Sequence, residues 1–460
     1  MERVTKEELI EKSKIWSSIA EKLHKFYRGK VMVLPKCAIE SYDDFAWTYT
    51  PGVAEPCKII KNNVETVWEY TNRWNYAAVV SDGSRILGLG DIGPEAGLPV
   101  MEGKALLFKY LGGVDAFPLV TRAKTAEDLV KFLEWIEPNF GAINLEDIEK
   151  PKCFDVLEEA RKRLNICVWH DDQQGTATVV YAALKNALKI VGKKLSEVKI
   201  VFLGFGASNK KCADVLILAG AKPENMVIVD SAGTLGPHRK DCIGTYKEWW
   251  CYHTNRWGIE GGLKEALKDA DVFIAMSQPG PGVVKKEEMA QMAHDSIVFL
   301  CANPIPEAWP WEAKEAGARI VATGRSDFPN QVNNSLGFPA IFRGVLDAMA
   351  RTVTDEMCLA AGDAIAEYTE KHGKFELSED YIIARMDETD LYPYEAAACA
   401  VQAAKQGVAR RNLTWKEEYE NAKEIIKHSQ KMLNTLIKAG LIPKIPKEIK
   451  KLYVKSEKKK

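Results

Sequence analysis

The 460-residue sequence has no apolar run near the roughly 20 residues that a membrane-spanning helix requires. Its start, Met1 to Glu8, is charged and lacks the apolar core of a secretory signal. Charge of one sign is also missing: 63 Lys and Arg face 64 Asp and Glu, for a net charge of -1. No field is set up to gather nucleic acid or an anionic membrane. Lysines do crowd residues 444–460, where they read as a solvated tail. The ten cysteines include no CxxC pair, and several lie inside apolar runs. That argues against a zinc site or a disulfide frame, and for thiols in a reducing compartment. The expectation is a cytoplasmic protein, in which the sequons at Asn333 and Asn412 carry no weight. No internal repeat or low-complexity segment stands out.

What is present is an ordinary globular balance, 46% apolar and 28% charged, long enough for two or three domains. Two acidic pairs stand out, Glu146-Asp147 and Asp171-Asp172. Each ends a short apolar run, 140–145 and 166–169, of the kind that forms buried strands. A helix-like segment, 153–164, separates them. Strand, helix, strand implies a parallel pair, so both acidic pairs leave the same carboxyl edge, where open α/β sheets bind ligands. Either pair alone reads as solvated acids. Together they would repel unless a cation joins them, and hard oxygen ligands suit Mg²⁺ or Mn²⁺.

Along the chain, residues 1–30 read as an amphipathic helix, and Trp47 to Pro56 as a structured loop leading into a helix. Residues 76–81 read as a strand, Asp82-Gly83 as a hairpin turn and 85–89 as the returning strand. Glycines 88, 90, 93 and 97 mark a loop near a ligand. Met101 to Lys109 opens a helix with Lys104 in its first turn, an unfavoured place for a cation. Thr176 reads as the cap of a helix running to about Val191.

A second signal is strand 198–203, the turn Gly204-Phe-Gly206, a helix, and strand 226–229 ending in Asp230. Glycines let backbone N–H groups and a helix start approach a pyrophosphate. Asp230 lies 26 residues after Gly204, and Asn209 stands where the third glycine is usual. Strands follow at 271–276, 296–302 and 319–323, each ending in small or polar residues, as in a doubly wound sheet. The remainder reads as helical, broken at Tyr392-Pro393, with a charged helix from about Trp415 to Ala439.

Over roughly residues 30–405 the chain resembles the malic enzymes, particularly the compact prokaryotic-type form. The motifs are YTPGVAEPC at 49–57, SDGSRILGLGDIG at 81–93, MEGKALLFK at 101–109, INLEDI at 143–148, HDDQQGTA at 170–177, and ATGRSDFPNQVNN with GFPAIFRG through 344. The resemblance implies an α/β protein: a mixed substrate and metal domain over 1–165, a Rossmann-type NAD(P)-binding domain over 166–410, and a helical tail over 411–460. It implies that Glu146, Asp147 and Asp172 hold Mg²⁺ or Mn²⁺, and that Asp171 beside them takes part in proton handling. Lys104 resembles the general base and Tyr49 the acid that protonates the enol. Arg85 matches an arginine that pairs with a substrate carboxylate. Asn303 and Asn334 resemble asparagines on the substrate and nicotinamide side, and Asn303 also meets the cofactor. Gly204, Gly206, Ala207, Ser208 and Asp230 fit the cofactor site. A homodimer is implied as well.

The expected reaction is oxidation of L-malate at C2, loss of CO₂, and protonation at C3 to give pyruvate. Lys104 would be neutral enough to act as base if Arg85 and the metal depress its pKa. Asp230 leans towards NAD through the ribose hydroxyls, while Arg239 or Lys240 would instead meet the 2′-phosphate of NADP. Gln174, where histidine is common, and the basic segment 236–240 depart from the expected pattern. Three rival readings are a malate-to-lactate converter with bound NAD, an oxaloacetate decarboxylase without redox, and a non-catalytic nucleotide-binding regulator.

Overall fold

The structure, a computed structural model, describes residues 6–457. Met1 to Thr5 of the charged start and Lys458 to Lys460 of the lysine-rich end lie outside the described residues. Two sheets follow one another along the chain. The first holds β1 (Tyr76–Ser81), β2 (Asp115–Val120), β3 (Ala142–Leu145) and β4 (Cys167–His170), in the order β2-β1-β3-β4 and all parallel. β1, β3 and β4 are buried almost throughout, as expected of apolar runs covered on both faces.

The second sheet holds β5 (Ile200–Leu203), β6 (Met226–Asp230), β7 (Gly233–Thr234), β8 (Val272–Ala275), β9 (Ile297–Leu300) and β10 (Ile320–Thr323), in the order β10-β9-β8-β5-β6-β7. Only the short β7 runs antiparallel, at the edge. Strand order reverses between β5 and β8, which opens a crevice beyond their carboxyl ends. All five strands expected in this half are present.

Four local expectations give way to tertiary context. Asp82-Gly83 closes no hairpin: both edges of β1 are taken by parallel neighbours, leaving only an isolated bridge from Ile86 to Gly90. Lys104 is not in a first turn. Its helix begins at Pro94, whose fixed φ suits a first helical position, and Lys104 lies mid-helix, facing inward. Thr176 is not a cap, because Asp171–Gly175 winds as a wide π-type turn straight into the helix Thr176–Val191. Tyr392-Pro393 does not break a helix. It sits in the first turn of Leu391–Lys405, where proline forfeits no helical hydrogen bond.

Pairing and packing cross the expected boundaries after residues 165 and 410. β4 lies beyond 165 yet pairs with β3. The helices Phe338–Asp347 and Leu391–Lys405 return from the second half and bury Phe338, Phe342, Cys399 and Ala400 against β1 and β4. The helix Trp415–Lys438, capped by Thr414 and Glu417, seats Ala422 and Ile426 on Leu111, Tyr392 and Ala396. Its Ser429 hydroxyl donates to the Lys109 carbonyl at 2.8 Å. The tail thus holds a packing helix, and a second helix, Lys447–Glu457, lies against the helix Lys6–Tyr27.

Candidate active site

One register builds the site. Leu145 at the end of β3 lies opposite His170 at the end of β4. The residues that follow are Glu146-Asp147 and Asp171-Asp172, so four carboxylates leave one sheet edge side by side. Helix Lys152–Arg163 makes the crossover between them.

Lys104 enters this group from its helix. Its Nζ lies 3.0 Å from Glu146 Oε1 and 2.5 Å from Asp171 Oδ2, over the face of Phe338 at 4.2 Å. Asp171 is wholly buried and also accepts from Trp169 Nε1 at 3.1 Å. Glu146 accepts from Asn144 Nδ2 at 2.9 Å. Asp147 has φ +54°, a left-handed backbone that asparagine and aspartate tolerate best among residues with a side chain. Three contacts hold it there. Its N–H donates to Asp172 Oδ2 at 3.0 Å, its carbonyl accepts from Arg85 N at 3.1 Å, and its Oδ1 accepts from Leu87 N at 3.3 Å. Strain held in this way is a mark of functional positions.

Burial works against charge on Glu146, Asp147 and Asp171. It pushes Asp147 up to about 7, with Asp172 alongside adding to the effect. Burial likewise raises Glu146 and Asp171, against the pull of Lys104. Burial alone would lower Lys104, but Asp171 and Glu146 outweigh it and hold the ammonium above its ordinary value. The expected depression of Lys104 by Arg85 is therefore not found: the Arg85 side chain is exposed, and two carboxylates face the ammonium instead.

Four acids against one lysine leave negative charge that a divalent cation would offset. Asp147 Oδ2 is buried without a hydrogen-bond partner, as a waiting ligand atom would be. The donor chemistry fits Mg²⁺ or Mn²⁺. Among the described residues, however, no three His, Cys, Asp or Glu side chains are already drawn into a ligand group.

The cofactor side adjoins this edge. Gly204, at φ +83°, ends β5; a Cβ there would stand 2.7 Å from the Met276 carbonyl oxygen. Gly206, Ala207 and Ser208 open the helix Ala207–Leu218, whose free N–H groups suit a pyrophosphate. Asn209 does the work of the missing glycine. Its buried Nδ2 donates to Leu203 O at 2.9 Å and Gly204 O at 2.8 Å, tying the helix to β5.

Two family models match the chain: the malic enzyme N-terminal domain over residues 28–131, and the malic enzyme NAD binding domain over 173–383. The chain belongs to the malic enzyme family. A "Bifunctional malic/malolactic enzyme" of Bacillus subtilis is 44% identical over 88% of this chain and 97% of its own length. An "NAD-dependent malic enzyme" of Geobacillus stearothermophilus is 44% identical over 84% of this chain and 78% of its own. The crystal structure of Entamoeba histolytica malic enzyme superposes with a TM-score of 0.95 at 44% identity, covering 100% of this chain and 96% of that one. That of Pyrococcus horikoshii malic enzyme gives 0.87 at 49% identity, covering 92% and 99%.

Within this malic enzyme fold the expected residues divide. Lys104, Glu146, Asp147, Asp171 and Asp172 come together. Asn334 joins them, its Cβ 3.3 Å from where a Cβ on Gly175 would stand. The Asn303 side chain packs over Gly324, beyond the end of β10. Tyr49 does not join: it is 71% exposed, and among the described residues no hydrogen bond or ring contact links its side chain to Lys104 or the acids. Gln174 is structural, its Oε1 accepting from the His170 N–H at 3.0 Å. Lys240 is exposed, and Arg239 alone of the basic pair reaches Asp230.

Sequence reasoning missed Trp169, Asn144, Phe338 and Gly175. A Cβ on Gly175 would stand 2.1 Å from Asp171 Oδ1, so only glycine leaves room for that carboxylate. Its place in HDDQQG, three residues after Asp172, was the available signal.

Proposed function

We infer that the chain oxidatively decarboxylates L-malate to pyruvate and CO₂ with reduction of NAD(P)⁺, using Mg²⁺ or Mn²⁺. The observation that carries this is the Leu145 and His170 register, which brings four acids to one sheet edge and sets the first of each pair on Lys104. When bound, the nicotinamide accepts hydride from C2, and the divalent cation draws electron density from the C2 oxygen so that CO₂ can leave. Glu146, Asp147 and Asp172 would hold the cation.

Lys104 would take the C2 hydroxyl proton once its carboxylate partners are engaged elsewhere and no longer stabilise its ammonium. Asp171, fixed by Trp169, steadies the charged form. Arg85 would reach a substrate carboxylate from the loop anchored on Asp147. Asn303 and Asn334 would line the substrate and nicotinamide side. Tyr49 would deliver a proton to C3.

Tyr49 lies in a stretch where Met32, Val33, Leu34, Tyr42, Phe45 and Trp47 are all exposed. An apolar surface of this extent suits a protein partner, and a second copy covering it makes a homodimer and encloses Tyr49. No described helix is long and apolar enough to cross a membrane, and the cytoplasm is the compartment proposed.

The test is cofactor reduction with L-malate and Mn²⁺, run with NAD⁺ and with NADP⁺, with pyruvate and lactate assayed. Pyruvate formed in step with reduced cofactor is the expected result. Lactate without net reduction would favour the second reading, malate-to-lactate conversion, which the name of the Bacillus subtilis relative brings forward.

A further inference from the structure

The acid that ends β6 is Asp230, and in a dinucleotide fold an acid there accepts hydrogen bonds from the adenosine ribose diol. Here its lone pairs are already taken. Oδ1 accepts from Arg239 Nη1 at 2.9 Å and from the Ala232 N–H at 2.9 Å. Oδ2 accepts from Lys247 Nζ at 2.5 Å and from Arg239 Nη2 at 3.1 Å. A carboxylate offers about four acceptor sites, and all four are used.

The surrounding charge is positive. An open pocket of about 270 Å³ is lined by Lys150, Pro151, Asp241, Thr245, Tyr246 and Lys247. Tyr246 fastens its wall to the glycine turn, its hydroxyl donating to Phe205 O at 2.7 Å. Asp241 is paired with Arg239 at 2.7 Å, and its side chain is 60% exposed, so solvent screens it. Lys150 has no carboxylate within ion-pair distance among the described residues. Its Nζ stands 4.0 Å from where a Cβ on Gly206 would be, over the start of the pyrophosphate-binding helix. Burial lowers its pKa, and Lys247 and then Arg85 add like-charge repulsion. Three cations against two carboxylates leave a surplus that an anion would relieve.

We propose that Arg239 and Lys247 form a 2′-phosphate site, with Lys150 adding positive charge on the pyrophosphate side, and that the chain selects NADP over NAD. The lean towards NAD from Asp230 alone is thereby reversed: Arg239 and Lys247 already occupy the oxygens that a ribose diol would need. A 2′-phosphate would replace Asp230 as the partner of Lys247 and receive charge-assisted hydrogen bonds. This inference rests on the reading of the chain as a nicotinamide-dependent enzyme.

The test is titration calorimetry of the full chain, without malate, using adenosine 2′,5′-bisphosphate and 5′-AMP. The expected result is about tenfold or greater preference for the bisphosphate, weakening as salt rises. Lys247→Gln should remove most of that preference while leaving 5′-AMP binding little changed. Lys150→Gln should weaken both ligands together. Asp230→Asn should strengthen bisphosphate binding, because it frees both cations; if the acid instead binds the ribose diol, this variant weakens 5′-AMP. Equal binding of the two ligands, or tighter 5′-AMP, overturns the proposal. Thermal unfolding of each variant separates lost folding from lost recognition. Fragment binding needs no turnover, so a chain that prefers the bisphosphate yet leaves malate unreacted sinks the activity and keeps the site.

Discussion

Leu145 on β3 and His170 on β4 are register partners, and each is followed at once by two acids. That pairing makes two sequence-distant acidic doublets one site. It also fixes what Lys104 meets: the first acid of each doublet, at 3.0 Å and 2.5 Å.

Replacing Lys104 with Ala should reduce turnover by roughly 10²-fold or more, the scale of a lost acid–base group. Mn²⁺ affinity should not weaken, since the variant removes a cation that competes for the same oxygens. Unchanged turnover would remove Lys104 from the chemistry.

Gly175→Ala should be as damaging as a change in a catalytic side chain. Gly175 has ordinary helical dihedrals, so the backbone tolerates alanine. The new Cβ instead displaces Asp171. A misplacement of this size costs about 10²-fold in kcat. Binding of the reduced cofactor should persist. A variant with full kcat would show that Asp171 can move without consequence.

Metal removal by a chelator should abolish turnover and spare nicotinamide binding. Asp147→Asn should raise the Mn²⁺ needed for half-maximal activity by about tenfold, because asparagine accepts the left-handed backbone but supplies no charge. Its metal-free melting temperature should hold or rise, as one buried negative charge is gone. A fall in that temperature would mean the carboxylate is structural.

The tail carries a titration that stability measurements can read. Burial and then Asp347 push Glu418 up to about 10, against the opposing pull of Arg343. The folded chain keeps a proton that the unfolded chain releases near 4.5. The stability this contributes is full below that value and is lost as pH rises towards 10. The melting temperature should therefore fall between about pH 6 and about pH 9, and Glu418→Gln should flatten that fall. Identical slopes in the two proteins would assign the proton elsewhere.

Light scattering should give twice the chain's 51.4 kDa, and Trp47→Asp, on the exposed apolar stretch, should return the monomer. Tyr49→Phe should keep the dimer and lower kcat. A monomeric wild type would leave Tyr49 without cover.

The sequence by itself determined most of the buried strands and their order along the chain. Apolar runs of four to six residues made eight of the ten strands legible, all but β2 and β7, because fully buried parallel strands are written as continuous apolar sequence. The four acids and the Gly204 turn were legible for the same reason: each sits where such a run stops. The tertiary structure decided everything that depends on partners far away in sequence. Asp82-Gly83 reads as a hairpin until both edges of β1 are filled. Lys104 reads as a first-turn lysine until Pro94 begins the helix earlier. Asp230 reads as a ribose acid until Lys247 and Arg239 occupy its oxygens. Local pattern sets which conformation a segment prefers. Hydrogen-bond capacity and charge are finite, and which distant group uses them is settled only when the chain is packed.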